Sequence, residues 1–159
     1  MSSALTRCPS AQPGMEEASV LGVILPSESG NKVAYIKEAI PAGAVLGLAA
    51  PAAPTEVFRF SARCEERKCL HFDGVACNLA SRIVSRLPAV VDRLPACTIR
   101  RSCRWFDQEG SAACFRCPQV ITAVTGEDTM LASIAMPNDG STGAAQASTE
   151  VAGRGAGRF

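Results

Sequence analysis

A small α+β fold is predicted for this chain, with N-terminal short strands forming a hairpin, followed by a cysteine-rich, metal-stapled region with two or three short helices. Three observations predict it. Residues 19–25 (SVLGVIL) and 32–36 (KVAYI) read as two strands on either side of the turn-rich segment Pro26-Ser27-Glu28-Ser29-Gly30-Asn31. Leu79, Ile83 and Leu87 recur at the spacing of one helix face. Seven of the eight cysteines fall within residues 64–117, a density that points to a shared staple rather than to separate packing roles.

Taken in order, residues 1–17 are expected to be an irregular leader, with Cys8-Pro9-Ser10 its one feature. Arg7 has no apolar run behind it and Glu16-Glu17 follow, so the segment does not read as a signal peptide. Residues 18–62 form a β-rich segment. Within it, 39–54 is rich in Ala, Gly and Pro and reads as a loop. Residues 56–60 (EVFRF) read as a strand, with Val57 and Arg59 on one face and Phe58 and Phe60 on the other.

Residues 63–124 form the cysteine-rich domain. Asp73-Gly74 is a turn signal, and Asn78 is a good N-cap for the helix carrying Leu79, Ile83 and Leu87. Arg82 and Arg86 are expected on its solvated face. Pro88 ends that helix and suits the first turn of a second one, carrying Val90, Val91 and Leu94 and closed by Pro95. Residues 125–159, rich in Gly, Ala, Ser and Thr near the end, are expected to be largely disordered.

Composition narrows the function. The 159 residues carry 16 Lys+Arg against 15 Asp+Glu, a net charge of +1, which marks neither a general nucleic-acid binder nor an acidic tail protein. Hydrophobic content is 47%, much of it alanine, and aromatics are only 5%. An interior this poor in large side chains calls for a covalent or metal staple. The apolar stretch at 42–53 is interrupted by Gly43, Gly47 and Pro51 and is far short of the roughly 20 residues of a membrane helix. A cytoplasmic location follows as the expectation, and there clustered thiols stay reduced and serve metal or redox chemistry.

The candidate metal ligands are Cys64, Cys69, Cys77, Cys97, Cys103, Cys114 and Cys117, with Cys8 as the remotest and His71, the sole histidine, as a further candidate. Their spacing is C-x4-C-x7-C, a gap of 19 residues, then C-x5-C-x10-C-x2-C. Structural zinc is usually held by two C-x2–4-C knuckles, and only Cys114-x-x-Cys117 has that form. A Cys64, Cys69, His71, Cys77 zinc site remains an alternative. Iron–sulfur clusters are several ångströms across and tolerate wider spacing. Cys8-Pro9 and Cys117-Pro118 also match the Cys-Pro ending of ferredoxin runs. Eight cysteines would supply two four-thiolate clusters, of the 4Fe-4S kind; seven with His71 would also reach eight ligands.

Residues 56–117 hold eleven basic against seven acidic side chains, an excess of four that would offset the negative charge of thiolate-bound clusters. A solvated face is the competing reading of the same arginines. Cys114 and Cys117 as a redox dithiol would want a βαβ setting, which is not evident. Trp105 and Phe106 are expected to pack against the site and exclude water.

Four runs also carry a resemblance: Thr55-Glu56-Val57-Phe58-Arg59-Phe60, Cys69-Leu70-His71-Phe72-Asp73-Gly74, Leu79-Ala80-Ser81-Arg82-Ile83-Val84, and Cys103-Arg104-Trp105-Phe106-Asp107-Gln108-Glu109-Gly110 continuing to Ala113-Cys114-Phe115-Arg116-Cys117-Pro118-Gln119. Over about residues 8–122 the chain resembles small cysteine-rich bacterial proteins that carry a loose "nitrogen fixation protein" label. The resemblance implies a bacterial cytosolic protein and no mechanism.

The sequence therefore leads to an iron–sulfur accessory protein, acting in electron transfer, redox sensing or assembly support for a larger redox or biosynthetic enzyme. The alternative is a zinc-stapled binding module, in which Arg100, Arg101, Arg104 and Arg116 dock nucleic acid or an acidic protein. No phosphate loop, dinucleotide fingerprint, H-E-x-x-H or Ser–His–Asp order is present, so independent catalysis is not expected.

Overall fold

The strand pattern of residues 19–36 closes as an antiparallel hairpin in the computed structural model, which describes residues 5–28, 30–124, 129–136 and 157–158. β2 (Ser19–Ser27) pairs with β3 (Gly30–Pro41) from Ser19↔Pro41 to Ser27↔Gly30. The register slips between Val20 and Gly22. At that slip Gly22 has no room for a side chain: a Cβ there would lie 2.6 Å from the Ala34 carbonyl oxygen and from Val33 Cγ1.

β4 (Phe58–Arg63) pairs with the other edge of β2, and β1 (Arg7–Ala11) with the outer edge of β4, giving an antiparallel sheet in the order β1-β4-β2-β3. The expected irregular leader is thus corrected in part, because residues 7–11 are an edge strand. The local sequence, Arg-Cys-Pro-Ser-Ala, gives no strand signal, and its order comes from β4. Pro9 is accommodated because the register of β1 shifts between Cys8 and Ala11, where a missing N–H costs no ladder bond. The EVFRF strand starts later than expected, since Pro54–Val57 forms one helical turn, α1.

The sheet is buried on both faces. Val20, Phe60 and Ala62 pack against Ala42 and Val45, from the short 3-10 turns of the segment expected as a loop. Leu21 on the opposite face joins the larger core formed with the cysteine-rich region. There α2 (Asn78–Arg86) buries Leu79, Ile83 and the adjoining Leu87, each burial worth about 1.5–3 kcal/mol. Cys77, rather than Asn78, is its N-cap residue.

Two expectations for this region are corrected. Arg82 is buried, because α5 (Thr129–Ala135) lies against α2 and its Ile134 carbonyl accepts from Arg82 Nε at 2.8 Å. The second helix over 88–95 does not form. Arg116 Nε donates to the Leu87 carbonyl and Gln119 Nε2 to the Pro88 carbonyl, both at 2.7 Å, while the Val90 amide donates to Phe115. Those tertiary bonds hold the segment out of a helix. The helices that follow are α3 (Arg104–Glu109) and α4 (Ser111–Cys114).

The segment expected to be disordered contains α5, with Ile134 and Ala135 fully buried, and β6 (Gly157–Arg158), which pairs with β5 (Ala123–Val124) just before that segment. The remainder of 125–159 lies outside the described residues. Among the described residues no helix is long and apolar enough to cross a membrane.

Candidate metal centre

All eight cysteines are free thiols, and the fold sorts them into two groups of four. Cys8, Cys64, Cys69 and Cys77 line one cavity of about 260 Å³. Cys97, Cys103, Cys114 and Cys117 line a second, tighter one of about 20 Å³, room for about one water. Trp105 lines both cavities.

Seven of the eight sulfurs are delivered by identifiable local structure, and Cys97 lies in the irregular segment after α2. Cys8 sits in β1, whose pairing with Ala62 brings it beside the end of β4, where Cys64 follows. Cys69 closes the short turn Glu66–Lys68. The Asp73-Gly74 turn, with Asp73 Oδ1 accepting from the amides of Val75 and Ala76, returns the chain to Cys77. In the second group, Cys103 precedes α3, Cys114 ends α4, and Cys117 opens the next turn. A parallel bridge between Arg7 and Cys103 ties the groups together through the backbone.

The thiols in each group feel one another. Burial pushes the Cys8 thiol far up; the Ser10 amide opposes this, and charge on Cys77, Cys64 and Cys69 adds to it. Burial likewise pushes Cys103 up to about 12, opposed by the amides of Phe106 and Trp105 and reinforced by charge on Cys117 and Cys97. Cys77 is raised by burial, while the amides of Ala80 and Leu79 at the start of α2 favour its thiolate. Cys8, Cys77 and Cys103 are thus disfavoured as thiolates first by burial and then by neighbouring sulfur, and a cationic centre would favour their ionisation.

The walls also carry buried donors. Arg100 Nε, Arg104 Nε and Trp105 Nε1 are buried with no acceptor among the described residues, and all three side chains line a cysteine cavity. Unpaired buried donors are costly, and three of them facing sulfur-lined cavities suit an occupant rich in acceptors. The Tyr35 hydroxyl is raised by burial and then by charge on Cys117. Among the described residues no three His, Cys, Asp or Glu side chains are gathered closely enough to hold a metal ion; the four thiols on each side, with the amides and buried N–H groups around them, are the donor types that an iron–sulfur cluster would take.

Arg59 and Gln108 are the site residues that sequence reasoning did not single out. Arg59 is fully buried. Its Nε donates to the Pro9 carbonyl at 2.8 Å, Nη1 to the carbonyls of Cys117 and Val120, and Nη2 to Cys117 Sγ at 3.0 Å. Its guanidinium lies 5.4 Å from the Trp105 ring centroid. Gln108 clamps the Cys77 main chain, accepting from its N–H at 2.7 Å and donating to its carbonyl at 3.0 Å. Only its place in the Trp-Phe-Asp-Gln-Glu-Gly run could have signalled it.

His71 lines the Cys8 cavity, and its Nδ1 faces Arg82 Nη2 at 3.0 Å. An arginine can only donate, so Nδ1 is the acceptor and Nε2 carries the proton. Of the arginines expected to form a docking patch, Arg100 bonds the Pro95 carbonyl, Arg104 pairs with Glu66 at 2.7 Å, and Arg116 bonds the carbonyls of Leu87 and Ala112. Arg101 is the exposed member. No family model, curated protein or solved structure matches the chain.

Proposed function

We propose that this chain is an iron–sulfur accessory protein holding two 4Fe-4S clusters, one in each cysteine cavity, and exchanging single electrons with a larger redox or biosynthetic enzyme. The observation that carries the reading is the division of the eight thiols into two cavities of four, walled by buried N–H donors. Bound clusters supply one-electron chemistry and little else when every iron already has a thiolate. The chain's own residues do the rest. Trp105 and Phe106 exclude water, Gln108 holds the Cys77 backbone, and Arg59, Arg100 and Arg104 provide positive charge beside the thiolates.

Zinc is the weaker fit. A structural zinc is usually held by two C-x2–4-C knuckles, and only Cys114-x-x-Cys117 has that form. Sulfurs arranged around a cavity suit a polynuclear centre better. Free thiols suit a reducing compartment such as the cytoplasm.

Anaerobic purification followed by iron, sulfide and zinc assays tests the reading. About eight iron and eight sulfide per chain are expected, from two four-iron clusters. A folded protein that stays colourless and iron-free after reconstitution would sink it. Stoichiometric zinc with salt-sensitive binding to nucleic acid would replace it with the stapled docking module.

A further inference from the structure

The two cysteine cavities differ in the charge built around them. On the Cys97 side, Arg59 donates directly to Cys117 Sγ at 3.0 Å and is fully buried. No carboxylate meets it: among the described residues the ion pairs are Arg63–Glu16 and Arg104–Glu66. Arg100 lines the same cavity and reaches Cys114. On the Cys8 side the arginine in contact is Arg104, beside Cys64, and Glu66 Oε1 lies 2.7 Å from it, on a half-exposed side chain. Arg82 stands one residue further back, behind His71. Lys68 and Glu65, both exposed, line the Cys8 cavity and offset each other. The Cys97 group therefore has a buried, uncompensated cation bonded to one of its sulfurs and a second arginine in its cavity wall, whereas the cation beside the Cys8 group is already paired with Glu66.

We infer that Arg59 makes the two centres unequal, giving a cluster held by Cys97, Cys103, Cys114 and Cys117 the higher reduction potential and drawing a single electron to it from the Cys8 cavity. The inference rests on the two-cluster reading above. Its physics is elementary. Reduction adds one negative charge to a cluster, and a nearby cation stabilises the reduced form more than the oxidised one. Burial strengthens that preference because water does not screen it. With clusters bound, an electron passing between them would leave the Cys8-side centre oxidised by one and the other reduced by one, with no proton or atom changing place. A one-electron protein donor, or dithionite in vitro, refills the first centre. Trp105, which lines both cavities, is the side chain between them.

The test is a redox titration of the anaerobically reconstituted full chain, followed by electron paramagnetic resonance. Cys69→Ala and Cys114→Ala, each leaving one cavity intact, assign the two waves. The wave surviving in Cys69→Ala should be the higher one. Arg59→Gln should lower that wave toward the other with iron content unchanged, and Arg59→Lys, which keeps the charge, should restore much of the gap. Glu66→Gln, at an exposed position, should raise the Cys8-side wave and narrow the gap from the other direction. A reversed order of waves, or an iron-replete Arg59→Gln with both potentials unmoved, overturns the inference. If Arg59→Gln fails to load, the wild-type order and the Glu66→Gln shift decide it. An iron-free wild type overturns the cluster reading itself, which is a different result.

Discussion

Replacing one cysteine in each group should remove one centre and spare the other. Cys69 and Cys114 are the positions to use. Both are half-buried, so truncation to alanine costs the packing little, about 1 kcal/mol at most. Cys77 and Cys103, buried at the starts of α2 and α3, would confuse ligand loss with damage to the core. Because the thiols divide four and four, Cys69→Ala should lower iron from about eight to about four per chain, Cys114→Ala should do the same, and the double variant should hold almost none. Iron and sulfide assays read the count. Spin quantitation of the dithionite-reduced protein should fall from about two to about one, with loss of any splitting between two neighbouring spins. Circular dichroism confirms that each variant is folded. The reasoning is refuted if either single variant loses all its iron while folded, or if the double variant still holds one complete cluster.

Three further outcomes are expected. Arg82→Met removes the donor to the Ile134 carbonyl and should cost about 1–3 kcal/mol; amide exchange at Ile134 and Ala135 should quicken more than elsewhere, and uniform exchange would contradict the anchoring role. Gly22→Ala forces a Cβ to within 2.6 Å of the Ala34 carbonyl oxygen, so urea unfolding should show a loss of about 1–3 kcal/mol; an unchanged midpoint would mean that the hairpin tolerates a different bulge. Stripping iron with a chelator under reducing conditions should lower the melting temperature and weaken the near-ultraviolet dichroism of Trp105, because the four thiols of each group then take up protons and lose the centre that would join them; an unchanged melting curve would show that the apolar core suffices.

Much of the fold is legible from local pattern. The hairpin announces itself through the apolar run at 19–25, the turn residues that follow and the apolar–polar alternation after them. The buried stripe of α2 follows from Leu79, Ile83 and Leu87, and the Asp73-Gly74 turn from its residue types. What misled was any residue whose partner is remote. Arg82 reads as a surface arginine until α5 covers it. The 88–95 segment reads as a helix until Arg116 and Gln119 take the carbonyls that a helix would have used. Residues 7–11 carry no strand signal because their order is lent by β4.

The candidate site divides the same way. From the sequence alone come the eight thiols, their crowding, the sufficiency of eight for two centres, and the local excess of arginine. Which thiols stand together is a matter of tertiary structure, because Cys8 joins Cys64, Cys69 and Cys77 only through strand pairing across more than fifty residues. Arg59 is an ordinary strand residue by sequence. Burial on the sheet face toward the cysteine-rich region, where it meets Cys117, Pro9 and Trp105, turns it into the uncompensated charge beside one centre. Spacing along a chain records chemistry that neighbours share. The field at a buried point is summed over groups that only the fold brings within reach.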